Sequence, residues 1–306
     1  MNALVTGATG FLGLHLSRAL KMRGDTIIGL VHDAHADTPF EYFDHWAAGD
    51  VLDHPMIERI LCEYEIGLVF HLAAQVQTSV AFANPLHTLQ TNVMGTANIL
   101  EACRRMKTPR VIVASTDKAY GEHTQRCSES FALEGRGPYE ASKSCMDTIA
   151  QSYAFMYGMS VGITRCANLY GPGHTNLSTL IPGTIRRILR GERPRLYNGG
   201  NAVREFLYID DAVEGYLALA HSDYIGPVNF GGRETFLAKD VVKMILQDLA
   251  SDLEPENVES RGNEIKCQRL DTSLAERVLG WQPGVTFAEG LHRTIAWHRE
   301  LVECAL

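Results

Sequence analysis

Gly7-Ala8-Thr9-Gly10-Phe11-Leu12-Gly13 is the stretch on which the fold turns. It follows a short apolar run, Ala3–Thr6, that reads as a strand, and it opens a helical pattern over Leu12–Met22. Three glycines therefore fall on one strand-to-helix turn. A turn with so few side chains lets the backbone approach a pyrophosphate, and the first amides and the dipole of the following helix offer that group donors and positive potential. The spacing is G-x-x-G-x-x-G rather than G-x-G-x-x-G, so the strand before and the helix after carry the reading as much as the string does.

Further strands are predicted at Thr26–Val31, Leu68–Leu72 and Arg110–Ser115, with helical patterns between them. In Asn92–Arg105, Val93, Ala97, Leu100 and Cys103 give the spacing of one buried helix face. This alternation predicts an α/β chain, a Rossmann-like doubly wound parallel sheet. Beyond a strand at Val161–Arg165 the texture becomes Gly- and Pro-punctuated, as in Tyr170-Gly171-Pro172-Gly173 and Asn198-Gly199-Gly200. A smaller α/β C-terminal substrate-binding domain is expected there. Val228–Phe230 looks like a late strand returning to the first sheet, so the two domains interleave. The expected division is residues 1–167 plus about 208–242 for the dinucleotide domain, and about 168–207 plus 243–306 for the substrate domain.

The 306 residues are 45% hydrophobic and 21% charged, the composition of a globular enzyme. A net charge of -8 without a basic run argues against nucleic acid as a partner. Seven scattered cysteines, an odd number with no C-x-x-C pair, fit a reducing compartment. The start, Met1–Gly7, lacks a basic leader region and no segment reaches membrane-spanning length, so a cytoplasmic protein without a membrane partner is expected. His32-Asp33-Ala34-His35-Ala36-Asp37 matches no ligand spacing and reads as a polar loop, and no metal is expected. The second strand ends Leu30-Val31-His32-Asp33. Asp33 is the candidate for the ribose hydroxyls, and with no nearby Arg or Lys for a 2′-phosphate the expected cofactor is NAD, with NADP left open.

Two stretches carry candidate chemistry. Tyr139-Glu140-Ala141-Ser142-Lys143 opens a helical pattern that runs to Tyr157 and sets Tyr139 and Lys143 on one face at i and i+4. An ammonium beside a phenol favours the phenolate and so a base. Ser115-Thr116-Asp117-Lys118-Ala119-Tyr120-Gly121 follows a strand directly, at the sheet edge where open α/β folds place ligands. Asp117 and Lys118 can act on one molecule only if the chain has left the strand by then, because neighbours on a strand face opposite ways.

Together these stretches resemble the extended short-chain dehydrogenase/reductases that act on nucleotide sugars. The resemblance extends over Gly49-Asp50, His71-Leu72-Ala73-Ala74, Asn92–Thr96, Arg165 with Asn168–Gly173, Arg204-Glu205-Phe206 with Tyr208–Asp211, and Leu279-Gly280-Trp281. Thr-Asp-Lys at 116–118 resembles the CDP-glucose 4,6-dehydratases and other dehydratases of that type. The resemblance implies a cofactor site formed by Gly7, Thr9, Gly10, Phe11, Leu12, Gly13, Asp33, Asp50 at the adenine, Val51, Leu72, Ala73 and Ala74, with Tyr139 and Lys143. It implies that Thr116 bonds the sugar O4, Tyr139 is the O4 base assisted by Lys143, Asp117 the acid for the departing O6, and Lys118 the C5 base. Burial would then have to raise Asp117 and desolvation lower Lys118. Asn92, Asn168, Leu180, Arg187 and Arg204 are implied substrate contacts, with Asn168 and Arg204 on the diphosphate of a CDP-, GDP- or UDP-hexose. A 4-epimerase or reductase would use the same tyrosine and lysine without Asp117 and Lys118. A silent dinucleotide sensor is a third reading, which the intact Tyr139 and Lys143 oppose. The family also implies a homodimer built on the helices at Asn92–Arg105 and Tyr139–Tyr157.

Overall fold

The computed structural model describes residues 1–33, 39–259 and 265–303, so His35 and Asp37 of the polar loop lie outside the described residues. Strands β1 (Asn2–Thr6), β2 (Thr26–Val31), β3 (His45–Ala48), β4 (Leu68–His71), β5 (Arg110–Ala114) and β6 (Val161–Cys166) alternate with helices α1 (Phe11–Met22), α2 (His54–Glu63), α3 (Thr78–Ala83), α4 (Pro85–Leu89), α5 (Gly95–Met106) and α6 (Pro138–Tyr157). Short β7 (Asn168–Tyr170), α7 (Leu180–Leu189), β8 (Arg195–Tyr197), β9 (Val203–Tyr208) and α8 (Ile209–Ala220) precede β10 (Gly226–Phe230). The chain continues through β11 (Thr235–Leu237), α9 (Ala238–Asp248), β12 (Glu256–Val258), α10 (Ser273–Leu279) and α11 (Phe287–Glu303).

The main sheet has seven strands in the order β10-β6-β5-β4-β1-β2-β3. Every pairing in it is parallel, with Val5 opposite Gly29 on one side and Phe70 on the other. Helices cover both faces, which is why β5 and β6 read as unbroken buried runs rather than alternating ones. Successive side chains feed opposite cores. Ala3, Val5, Phe70 and Ile112 pack with Leu16 and Leu20 of α1 and Tyr216 and Leu217 of α8. Leu4, Val69, Val111 and Val113 pack with Ile57 and Ile60 of α2, Ile99 and Leu100 of α5, and Met146 and Ala150 of α6.

Helix α6 starts with Pro138 in its first turn and ends at Gly158, whose φ of +64° is the left-handed cap that terminates a helix. The segment expected as one α-helix from Asn92 differs. Residues Gln90–Met94 form a π turn and α5 proper begins at Gly95. The wider turn brings Asn92 inward, where it is fully buried.

Val228–Phe230 does rejoin the first sheet, as β10 beside β6. A second sheet, β11-β9-β7, and the pair β12-β8 form the smaller part. Its core gathers Tyr170, Ile181, Ile185, Phe206, Tyr208, Val241, Ile245, Phe287 and Leu291. The boundary expected near residue 242 passes through α9, whose Val241 and Ile245 belong to that core. Trp281 fastens the C-terminal segment to α8. Its Nε1 donates to the Asp211 carbonyl at 3.0 Å, and the Asp211 carboxylate accepts from the amides of Gly284 and Val285 at 2.8 and 3.0 Å. Among the described residues no helix is long and apolar enough to cross a membrane, and all six described cysteines are free.

Candidate active site

The glycine turn is a cradle that side chains would fill. Gly7 has φ +67°, and a Cβ there would stand 2.8 Å from the Ala73 amide nitrogen. A Cβ on Gly13 would overlap the carbonyl oxygens of Gly7 and Ala8. Gly10 is the extended N-cap of α1, and no side chain caps the helix, so its first amides at Phe11, Leu12 and Gly13 remain available to an anion. Thr9 lies on the same turn, half-buried. These features fit the pyrophosphate of a dinucleotide. At the neighbouring strand ends His32 bridges the two acids expected at the adenosine, 3.0 Å from Asp33 and 3.4 Å from Asp50. The hydrogen bond to Asp33, more than any other contact, holds the His32 pKa above its usual value. Val51 packs into the second core against Gly95.

A buried chain of hydrogen bonds joins this turn to α6. The Ala73 amide donates to Thr6 Oγ1 (3.1 Å), which lies 2.9 Å from His71 Nδ1. His71 Nε2 lies 2.9 Å from Thr96 Oγ1, which donates to the Asn92 carbonyl at 2.6 Å. Donor counting then places the single imidazole proton on Nε2. Burial, and after it the Lys143 charge, pushes the His71 pKa down to about 3. Asn92 was expected at the substrate, but its amide is committed elsewhere. Oδ1 accepts from the Gln75 amide at 2.7 Å, while Nδ2 donates to the Gln75 carbonyl at 3.0 Å and to Ser142 Oγ at 2.8 Å. Ser142 donates in turn to the Tyr139 carbonyl at 2.7 Å. Asn92 thus pins the segment after Leu72-Ala73-Ala74 to α6.

At the carboxyl end of β5 the strand stops at Ala114, and Asp117–Tyr120 is a 3-10 turn capped by Thr116. Leaving the strand lets neighbouring side chains meet: Lys118 Nζ is 3.6 Å from Asp117 Oδ1. Asp117 is buried and also accepts from Thr116 Oγ1 and from Gln268 Nε2, each at 3.0 Å. Lys118 Nζ donates to Asn168 Oδ1 at 2.8 Å, and Asn168 Nδ2 donates to the Glu205 carbonyl at 3.0 Å.

Tyr139 and Lys143 are both buried on the facing side of α6. Burial raises the Tyr139 phenol well above its usual pKa, the Asp117 charge adds to this, and a hydrogen bond with Thr116 opposes it. The expected lowering by Lys143 is absent from this arrangement, because the ammonium donates to the Ala114 carbonyl at 2.8 Å. Lys143 itself is brought down to about 8 by burial, against the raising effect of Asp147 one turn on. Asp147 forms a buried double hydrogen bond with Arg165, 2.9 Å at both contacts. Arg165 also reaches the Tyr120 hydroxyl at 2.9 Å, tying α6 and β6 to the 3-10 turn.

The remaining expected contacts scatter. Leu180 opens α7 over the third core, half-buried. Arg204 donates to the carbonyls of Val203 and Ile265 at 2.9 and 2.7 Å. Arg187, expected at the nucleotide, is instead paired with Glu192 at 3.1 Å and Glu256 at 3.3 Å, where it clasps the small sheet. Sequence reasoning missed Gln268, which touches Asp117 from 151 residues away, and gave no role to Asp147 or to the side chain of Glu205. Asp147 had a local signal, lying at i+4 from Lys143 on the helix face already singled out. Among the described residues no group of three His, Cys, Asp or Glu side chains could hold a metal ion.

Comparison with known proteins agrees with this geometry. The model of the NAD dependent epimerase/dehydratase family matches residues 3–230. UDP-glucuronic acid decarboxylase 1 of Xenopus tropicalis is 30% identical over 98% of this chain and 72% of its own length. The structure of DesIV, a dTDP-glucose 4,6-dehydratase from Streptomyces venezuelae with NAD bound, superposes with a TM-score of 0.92 at 32% identity, covering 98% of this chain and 97% of that one. UDP-glucose 4-epimerase of Thermotoga maritima, solved with UDP-glucose, gives a TM-score of 0.92 at 27% identity over 99% and 100% of the two chains. Sheet order, glycine turn and the Tyr139–Lys143 helix lead to one conclusion with these matches: the chain belongs to the NAD dependent epimerase/dehydratase family.

Proposed function

We propose that the chain is a nucleotide-hexose 4,6-dehydratase, converting a CDP-, GDP- or UDP-hexose to the 4-keto-6-deoxy sugar with loss of water. The observation that carries this reading is the Asp117–Lys118 contact at 3.6 Å, in a turn shared with Thr116 and facing Tyr139. A 4-epimerase needs a base at O4 and no second acid–base pair. Its relatives here include dehydratases, decarboxylases and epimerases alike, so the pair is what favours elimination.

In this reading Gly7, Thr9, Gly10, Phe11, Leu12, Gly13, Asp33, Asp50, Val51 and Leu72–Ala74 hold NAD, with Tyr139 and Lys143 at its nicotinamide end. Bound NAD supplies a hydride acceptor at C4 and a donor at C6. Tyr139 takes the O4 proton while Thr116 holds that oxygen. Lys118 removes the C5 proton, and Asp117 protonates O6, which leaves as water. Lys118 then returns its proton to C5. One turnover therefore leaves a proton gained on Tyr139 and one lost from Asp117. Thr116 is hydrogen-bonded to both and is the route by which the site resets. Asn168 and Arg204 receive the diphosphate from the small domain, which we assign to β7–β9, β11–β12, α7, α9 and α11.

A homodimer in the cytoplasm completes the proposal. Phe155, Met156 and Tyr157 of α6 and Met94 beside α5 are large apolar side chains left exposed, and the free cysteines suit a reducing compartment. The test is mass spectrometry of the purified protein with a panel of nucleotide hexoses and no added NAD. Loss of one water is expected, and Asp117→Asn should slow it by about 100-fold or more. Undiminished turnover by Asp117→Asn, or a 4-epimer formed without dehydration, would overturn the assignment.

A further inference from the structure

Gln268 is buried against the acid–base pair, yet the steps above make no use of it. It comes from a strap, residues 266–271, whose backbone is fixed on two sides. On one side the Val203 amide of β9 donates to the Lys266 carbonyl at 2.8 Å, and the Gln268 amide donates back to the Val203 carbonyl at 3.1 Å. On the other the Cys127 amide donates to the Arg269 carbonyl and the Asp271 amide to the Cys127 carbonyl, each at 2.9 Å. Arg126 Nη1 donates to the Leu270 carbonyl at 2.8 Å, and the Leu270 amide donates to Glu205 Oε2 at 2.9 Å. None of these bonds involves the side chain of Gln268. That side chain reaches Asp117 from a backbone that other groups hold in place.

The two oxygens of Asp117 meet unlike donors. Oδ2 accepts from Gln268 Nε2 at 3.0 Å. Oδ1 accepts from Thr116 Oγ1 at 3.0 Å and lies 3.6 Å from Lys118 Nζ. An amide nitrogen only donates, whereas a hydroxyl donates or accepts by turning about its C–O bond. A proton on Oδ2 would therefore compete with the Gln268 N–H for that oxygen. A proton on Oδ1 can be received by Thr116 once its hydroxyl has turned. Lys118 must be neutral to take the C5 proton, and as an amine it too has a lone pair on the Oδ1 side. Thr116 is also hydrogen-bonded to Tyr139, so Oδ1 is the end of the carboxyl joined to the O4 base.

From this geometry we infer that Gln268 is a positioning residue for the elimination. By donating to Oδ2 it fixes the plane of the Asp117 carboxyl and leaves Oδ1 as the oxygen that gives O6 its proton. In that step the Oδ1–H bond breaks together with the C6–O6 bond, and O6 leaves as water. The C5–H electron pair becomes the second C5–C6 bond while its proton passes to Lys118 Nζ. Oδ1 is left charged beside Thr116, through which its proton is replaced. The inference rests on the dehydratase reading and deepens it.

The experiment follows single turnovers with CDP-, GDP- and UDP-glucose, reading reduction of the bound nicotinamide by absorbance and loss of water by mass spectrometry. Wild type is compared with Gln268→Met, Gln268→Glu, Asp117→Asn and the double variant Asp117→Asn/Gln268→Met. Methionine matches the length of glutamine and removes the donor. Gln268→Met should leave KM and nicotinamide reduction within about twofold of wild type and slow water loss about 10- to 100-fold, so that reduced nicotinamide persists. Gln268→Glu presents an acceptor to Oδ2 and draws the proton to that side, so it should slow water loss at least as much. In the Asp117→Asn background Gln268→Met should add less than about twofold, because the residue acts through Asp117. Water loss at the wild-type rate in Gln268→Met overturns the inference. So does an equal slowing of reduction and water loss, or a further loss of about tenfold in the double variant, since either marks a glutamine that supports the fold or acts elsewhere. Should Gln268→Met fail to fold, Gln268→Glu, of nearly the same shape as the native side chain, puts the same question, and water loss at the wild-type rate in it is equally fatal. The two readings fail separately. A wild type that yields no dehydrated product, or an Asp117→Asn that dehydrates normally, removes the dehydratase reading and this inference with it, whereas an inactive Asp117→Asn beside an unaffected Gln268→Met removes only the role of Gln268.

Discussion

Asp147→Asn isolates the ion pair beneath the site. Asp147 and Arg165 have side chains 0% and 1% exposed and meet in two parallel bonds, so neither charge has water to fall back on. Asparagine preserves the shape but turns one acceptor into a donor that faces the guanidinium. It leaves Arg165 charged and uncompensated, with the Tyr120 hydroxyl and the Glu129 carbonyl as its remaining partners. Breaking one side of a buried pair costs about 3–5 kcal/mol, whereas replacing both sides by apolar groups of similar volume is often close to neutral. Urea unfolding followed by circular dichroism should therefore show Asp147→Asn destabilised by about that amount, and the double variant Asp147→Leu/Arg165→Met recovered to within about 2 kcal/mol of wild type. The substitution also removes the charge that raises Lys143 against its burial, so Lys143 should lose its proton below its present value of about 8. The alkaline limb of activity should move to lower pH with it. A stability loss for Asp147→Asn under about 1 kcal/mol would refute the claim that this pair is desolvated and holds α6 to β6.

Acid stability follows from His71. Its folded pKa of about 3 lies below the unfolded value of 6.5, so the unfolded chain binds the proton first. The contribution is complete above about pH 6.5 and is lost as pH falls toward 3, about 2 kcal/mol of it by pH 5. Urea midpoints for wild type and His71→Gln should converge on acidification, and parallel curves would count against it. Arg187→Ala should leave KM unchanged and cost under about 1 kcal/mol, since its ion pairs are half-exposed. A tenfold rise in KM would return Arg187 to the nucleotide site.

The dinucleotide half was legible because its signals are local. A glycine turn between one strand and one helix, and Tyr139 and Lys143 one helical turn apart, lie within windows that backbone geometry alone dictates. The expected boundary near residue 242 falls inside α9. The residues from Thr235 to Asp248 resemble another strand and helix of the first sheet, and only burial against Ile185 and Phe287 shows where they pack. Contacts made by long loops left no trace at all. Gln268 reaches Asp117 because a strap crosses β9, and no periodicity encodes that crossing. Asn92, which the resemblance implies at the substrate, has its amide bonded to Gln75 and Ser142. The π turn that swings it inward is a hydrogen-bonding irregularity without a compositional mark.

The chain through His71 has a fixed polarity. It starts at an amide that can only give a proton, the backbone N–H of Ala73, and ends at a carbonyl that can only receive one, that of Asn92. Each hydroxyl and the imidazole between them has one permitted orientation, and a second proton on the ring would point a donor at a donor. His71 can thereby take up no second proton without breaking one of its two hydrogen bonds. The bonds through Thr6 and Thr96 continue to the segment that Asn92 clamps to Ser142, so the glycine turn and α6 belong to one continuous hydrogen-bonded unit.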